Sequence, residues 1–181
     1  MIGARIGGAR GRVTTSVAAV ATLLLLAACA RGPSTPATAV MQFYTVLDAL
    51  GIRRVPDPVQ WQSLRPFIAD SLAKALTHAR QMRDSARMRA PGDKPPFADG
   101  DPFSSLFEGR TSFRVDSTIT RGDSALVVTI FTNDTQKPAV TWTDTVVVLK
   151  QGDMHRVADV RYGTEWEFGY RGRLIELLLA R

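Results

Sequence analysis

Leu126-Val127-Val128-Thr129-Ile130-Phe131 is the stretch on which the fold turns. Its residues are almost all β-branched or aromatic, the types that suit a pleated strand. Apolar side chains occupy both parities of a period-two pattern, so the strand is expected in the middle of a sheet. Working outward, Phe113, Val115 and Ile119 mark a strand before it, Val140 to Lys150 one after it, and Met154 to Tyr162 a fourth. Arg121-Gly122-Asp123 and Gln151-Gly152-Asp153 have the composition of hairpin turns. Arg121-Gly122-Asp123 also spells a cell-adhesion tripeptide, but a turn accounts for it. The segment from Asn133 to Pro138 joins the two middle strands. These signals describe an antiparallel meander.

Upstream, the period changes to that of helices. Val40, Phe43, Leu47 and Leu50 recur at helical spacing with Gly51 behind them, which predicts a helix over Ala37 to Leu50. Val59 to Leu64 predicts a short second helix, interrupted by Pro66. Asp70 or Ser71 is the expected N-cap of a long third helix whose apolar face is Leu72, Ala75, Leu76, Ala79, Met82 and Ala86, ending near Arg89. Ala90 to Pro102 carries four prolines, two glycines and three aspartates and reads as a loop. Leu174, Leu177 and Leu178 predict a short C-terminal helix. Helices followed by a meander give an α+β class, with N-terminal helices packed on a curved antiparallel sheet. A twisted sheet covered on one side makes a cone with a cavity at its open end.

The N-terminus has a different character. Arg5, Arg10 and Arg12 precede an apolar run from Val13 to Ala28, and no acid occurs before Asp48. This is the layout of a secretory signal. The run is diluted by Thr14, Thr15, Ser16 and Thr22 and falls short of the ~20 apolar residues a spanning helix wants. Leu26-Ala27-Ala28-Cys29 closes it with the chain's single cysteine and resembles the lipobox of bacterial lipoproteins. The resemblance implies cleavage between Ala28 and Cys29, and lipid attachment at Cys29. One acyl chain anchors only marginally, whereas two or three hold a protein on a membrane. Cys29 has no partner for an intrachain disulfide. Residues 1–28 are thus expected to be a lipoprotein signal peptide, 29–38 a lipidated Pro-broken tether, and 39–181 a single α+β domain. The expected address is the cell envelope, lipid-anchored; Ala30, rather than aspartate, after the cysteine points to the outer membrane facing the periplasm. The formal charge of +6 includes three leader arginines, so it is poor support for nucleic-acid binding, and no nucleic-acid partner is expected.

From Val40 onward the chain resembles the bacterial family catalogued as domain of unknown function 3828, within the nuclear transport factor 2-like fold. The residues that carry the resemblance are Phe43-Tyr44, Asp101-Pro102-Phe103, Trp142-x-Asp144, the strand His155-Arg156-Val157-Ala158-Asp159-Val160-Arg161-Tyr162, and Trp166-x-Phe168 with Gly172-Arg173-Leu174. His155 stands where that family more often has tryptophan. The resemblance implies a cone-shaped fold and a small envelope lipoprotein; it implies no reaction.

The candidate pocket residues are Asp159, His155, Tyr162, Trp166, Asp144 and Tyr44. Period two places Asp159 on one strand face with Val157 and His155, so a carboxylate and an imidazole would share a pocket wall and do acid–base work; the alternative is a loop cap or the solvated rim. Tyr162, Glu165, Trp166 and Glu167 suit the mouth of a polar-ligand cavity, or else Trp166 and Phe168 seal the core while the glutamates face water. Trp142 and Asp144 share a strand face. Tyr44 and Asp48 lie one helical turn apart. Arg80, Arg83 and Arg87 form a stripe that would meet anionic headgroups or an acidic partner, or simply face solvent. Asp99-Gly100-Asp101 with Asp93 is a turn before Pro102-Phe103 rather than a calcium loop, for want of the EF-hand spacing. No HExxH, Walker, GxSxG or Cys–His signature occurs, and the chain has two histidines, His78 and His155. No catalytic residue, metal or cofactor is therefore assigned. The expected function is non-enzymatic binding of a small ligand or protein partner in the cone. The alternatives are an immunity- or inhibitor-type protein-binding module, and a pocket enzyme using Asp159.

Overall fold

The computed structural model describes residues 34–135 and 137–180. The leader, the cleavage site at Ala28 and Cys29, and most of the tether lie outside the described residues. Helix α1 spans Pro36–Ala49, α2 Pro58–Leu64, α3 Asp70–Arg89 and α4 Leu174–Leu179; a 3-10 turn, Arg65–Phe67, links α2 to α3. Strands β1 (Ser112–Arg121), β2 (Ser124–Asn133), β3 (Val140–Gln151) and β4 (Met154–Arg161) form one antiparallel sheet in the order β1-β2-β3-β4. The α+β class and the four-stranded meander are as expected. No helix among the described residues is long and apolar enough to cross a membrane.

The hairpins follow from their glycines. Arg121 pairs with Ser124 and Gln151 with Met154, which leaves two-residue loops at Gly122-Asp123 and Gly152-Asp153. Both glycines adopt positive φ, 56° and 62°, the conformation such tight turns require. β2 lies in the interior of the sheet, with Ala125, Val127, Thr129 and Phe131 fully buried on the helix-covered face. Its other face is half-buried: Leu126, Val128 and Ile130 alternate with the core residues.

α1 lies on the inner face. Ala39, Val40, Phe43, Tyr44 and Leu47 are buried, at the spacing of a single helical stripe. Pro36 sits in the first turn, where the absent N–H costs nothing, and Thr35 accepts a hydrogen bond from Thr38 N at 3.1 Å. Residues 36–38 are therefore helix rather than the end of the tether. The start of α3 also departs from expectation. Its N-cap is Ala69, without a side-chain cap, and Asp70 turns to Arg65 at 2.5 Å instead. Backbone pairing does the work of the cap: Ala69 N donates to Val157 O at 2.8 Å, and Ile68 bridges Val157, so β4 fixes the helix start. Leu72, Ala75, Leu76 and Ala79 are buried as expected. One turn further on the next buried residue is Arg83, 9 % exposed, while Met82 is half-buried. The arginine stripe is thus neither uniform nor wholly solvated.

Candidate functional site

The space between α1 and the sheet, where a cone would open, is occupied by aromatic rings. Phe43 packs edge-on to Tyr44 at 5.0 Å and to Phe103 at 5.9 Å, and Tyr44 packs edge-on to Phe131 at 5.1 Å. Trp142 lies 5.6 Å from Phe131, and Trp166 meets Trp142 edge-on at 5.6 Å. Phe43, Tyr44, Phe103 and Phe131 are completely buried. Such rings bury large areas, and their T-shaped contacts contribute about 0.5–1.5 kcal/mol each beyond area.

Around this aromatic packing lie three polar knots, each tied by residues distant in sequence. The first is Asp144, on the inner face of β3 and 1 % exposed. Its carboxylate accepts from Ser105 N and Gly163 N, each at 2.8 Å, from the Ser105 hydroxyl, and from Trp142 Nε1 at 3.3 Å. Burial pushes its pKa up, against the opposing pull of the Ser105 and Gly163 donors. Gly163 has to be glycine here, because a Cβ would run into the Thr143 carbonyl oxygen. The expected shared face of Trp142 and Asp144 is present, and a direct hydrogen bond joins the two.

The second knot is ionic. Arg110, with a side chain 0 % exposed, donates to Asp48 at 2.8 Å and to Asp101 at 3.1 Å. Arg53 contacts the same two carboxylates at 3.2 Å each. The Arg110 guanidinium lies over the Tyr44 ring at 4.5 Å. Tyr44 is therefore a core residue: its hydroxyl donates to Phe103 O at 2.9 Å, and burial holds its pKa well above 10. Asp101 Oδ1 accepts from Phe103 N at 3.0 Å, the turn read from Asp99-Gly100-Asp101; burial raises the Asp101 pKa, against the pull of Arg110.

The third knot holds α4. Asp159 accepts from Arg173 Nε at 2.6 Å and from Ile175 N at 3.0 Å. The expected shared face of Asp159 with His155 and Val157 is absent. The register of β3 and β4 shifts between Val147 and Val148: Val148 pairs with Val157, but Val147 pairs with Asp159, so Ala158 is an extra residue. That bulge moves Asp159 to the opposite face. His155 lies near the N-terminal entry instead, its backbone N donating to Ser34 Oγ at 2.7 Å and its Nδ1 lying 2.5 Å from Ser34 O.

Tyr162 donates its hydroxyl to Pro102 O at 2.7 Å and stacks on Tyr170 at 5.7 Å. Burial raises its pKa well above 10, and that of Tyr170 to about 12. Trp166 is half-buried, while Phe168 is 76 % exposed and does not seal the core. Glu165 and Glu167 are exposed.

The clefts of the described residues lie elsewhere. One, of 270 Å³, runs between the turn at Gly51–Asp57, α2, α3 and the loop at Phe97-Ala98; its walls carry Arg53, Arg54, Arg83 and Arg87. Another, of 410 Å³, follows α3 past Trp61, Lys74 and His78. Asp159, His155, Tyr162, Trp166, Asp144 and Tyr44 line neither. Sequence reasoning overlooked Arg110, Ser105 and Arg53 as members of the knots. Their acidic partners carried the visible signal: Asp48 one turn from Tyr44, Asp101 before Pro102-Phe103, and Asp144 beside Trp142. No protein-family model, curated protein or solved structure matches this chain.

Proposed function

We propose that the protein is a lipid-anchored envelope protein, of the nuclear transport factor 2-like class, that acts by non-catalytic binding of a protein partner at its surface. The anchoring half rests on Leu26-Ala27-Ala28-Cys29 behind the arginines and apolar run. The class rests on helices covering one face of a four-stranded meander and on the motif residues from Phe43-Tyr44 to Arg173-Leu174. The observation that carries the surface-binding half is the aromatic packing of Phe43, Tyr44, Phe103 and Phe131 in the space a cone would leave for a ligand. With the carboxylates of Asp144 and Asp159 committed to the fold's own donors, partner binding is favoured over a small ligand in the cone and over an Asp159 enzyme.

The deciding experiment expresses the full chain in a bacterium supplied with labelled palmitate, beside Cys29→Ser. Label in the wild-type protein, with the protein in the membrane fraction, and none in the variant is the expected result. Equal labelling of both, or an unlabelled soluble wild type, ends the anchoring reading. Specific uptake of a lipophilic small molecule between α1 and the sheet, seen as shifted resonances of Tyr44 and Phe131, would end the surface-binding reading.

A further inference from the structure

The ionic knots have their charges balanced, but the arginine cleft does not. Asp48 and Asp101 balance Arg53 and Arg110 within one cluster. Arg83 is neutralised by Asp84 at 2.9 Å. Two cations remain on the cleft wall. Arg54 spends one donor on Ala98 O at 3.0 Å. Arg87 has no hydrogen bond or carboxylate partner among the described residues. A guanidinium carries five N–H donors, so most of those on Arg54 and Arg87 are uncommitted. The cleft's own acid, Asp57, has an oxygen occupied by Val59 N at 2.8 Å and Gln60 N at 2.9 Å, as the cap of α2. The crevice on the far side of Arg53 and Arg54 holds Asp99, Asp101 and Glu108, so an anion is directed to the Arg87 side.

The cleft is also a shaped feature. Arg83 is held rigidly in its floor, nine-tenths buried, with Nη1 donating to Val55 O at 2.9 Å. Phe97, on the wall, has φ 58°, among the described residues the single non-glycine in the left-handed region. For a bulky residue that conformation is strained, and such strain collects at functional sites. It belongs to the turn that delivers the Ala98 carbonyl to Arg54.

We propose that this cleft binds a phosphate group, with Arg54 and Arg87 as the ligating side chains and Arg83 as the rigid floor. Donors come from two elements, Arg54 on the Gly51–Asp57 turn and Arg87 on α3, which suits a tetrahedral oxyanion better than a planar carboxylate met by one fork. The volume of 270 Å³ is at the low end for ligand pockets and matches a small headgroup or a phosphorylated fragment. The phosphate has two sources of the same chemistry, a diester in a lipid headgroup or a soluble monoester. The site does not depend on the lipid anchor, so its failure would leave the anchoring reading standing.

The test is a calorimetric titration of the full chain in detergent micelles, at constant ionic strength, with inorganic phosphate and separately with glycerophosphoglycerol. Two or three charge-assisted hydrogen bonds of ordinary strength correspond to a Kd on the order of 0.1–1 mM. Arg87→Gln touches no bond of the fold and is expected to weaken binding about tenfold or more. Arg121→Gln, in the β1–β2 hairpin, removes the same charge elsewhere and should leave Kd unchanged. Binding of the diester assigns the site to a lipid headgroup; binding of inorganic phosphate alone assigns it to a soluble monoester. Saturation by neither probe, or equal weakening by Arg121→Gln and Arg87→Gln, overturns the proposal.

Discussion

Asp144→Ala tests whether the first polar knot is structural. The magnitude follows from what each donor has left. Ser105 N loses its acceptor at 2.8 Å. Gly163 N retains a second partner, Ser105 Oγ at 3.2 Å. Trp142 Nε1 loses a contact that was already long, 3.3 Å. One orphaned buried amide costs about 1–3 kcal/mol, and a weakened indole bond adds about 1 kcal/mol. Removing a carboxylate whose burial is unfavourable returns part of this. The net expectation is a loss of about 1–3 kcal/mol, which in a chain of this size lowers Tm by about 3–9 °C. The pH dependence has a definite sign. Burial raises the folded pKa above the ordinary 3.8, so the folded state keeps a proton that the unfolded chain has released. The contribution of Asp144 is therefore fullest below its unfolded value and declines as pH rises through its folded one. Thermal and urea unfolding at pH 3.5 and pH 7 should show a larger penalty for Asp144→Ala at the lower pH. Ser105→Ala, which spares the Ser105 amide, should cost less than Asp144→Ala at both. A penalty below about 1 kcal/mol, or one that grows toward neutral pH, would refute the reasoning.

Arg110→Met leaves Asp101, 2 % exposed, with Arg53 as its remaining cation, and should cost about 3 kcal/mol in urea unfolding; the double variant Arg110→Met with Asp101→Asn should recover at least about 1 kcal/mol. In an alkaline titration read at phenolate absorbance, no tyrosine should ionise near pH 10: Tyr170 should titrate near 12, and Tyr44 and Tyr162 only as the fold is lost. The tyrosine contribution to stability is accordingly constant below pH 10 and falls above it, by about 1.4 kcal/mol per pH unit for each buried tyrosine; a phenolate signal near 10 contradicts the burial assigned to them.

The parts of this fold that were legible in the sequence are those set by local rules. Gly122 and Gly152 fix the hairpins because the turns need positive φ, and the hairpins in turn fix the register next to each turn, of β1 from Ser117 to Arg121 against β2 and of β4 from Met154 to Val157 against β3. The stripe from Leu72 to Ala79 reads directly as the buried face of α3. The departures arise where something other than the local pattern decides, a competing side chain, a pairing from another element or a bulge. Asp70 has the residue type of a cap, but Arg65 takes its carboxylate and β4 satisfies the helix start. Arg83 reads as a solvated charge, yet Val55 O at 2.9 Å makes burial of its stem and guanidinium tolerable. Counting twos puts Asp159 on the face of His155, and the extra residue at Ala158 breaks the count. Nothing in the residues around Ala158 announces that bulge.

The same distinction separates the two kinds of polar cluster in this protein. Asp144 and Asp159, aspartates on strands, and Asp48, one turn from Tyr44, look chemical in the sequence. In three dimensions their carboxylates have donors from the chain itself, supplied by Ser105, Gly163, Arg173, Ile175 and Arg110. A carboxylate so engaged has little free capacity for a substrate proton, and disturbing it disturbs the core first. Arg54 and Arg87 show the converse: on an exposed helix and turn they look like solvation, but their donors are left over after the fold has taken what it needs. Recognition draws on uncommitted hydrogen-bonding capacity. That capacity lies at the cleft between α2 and α3, and there a substitution can change binding while leaving the aromatic core intact.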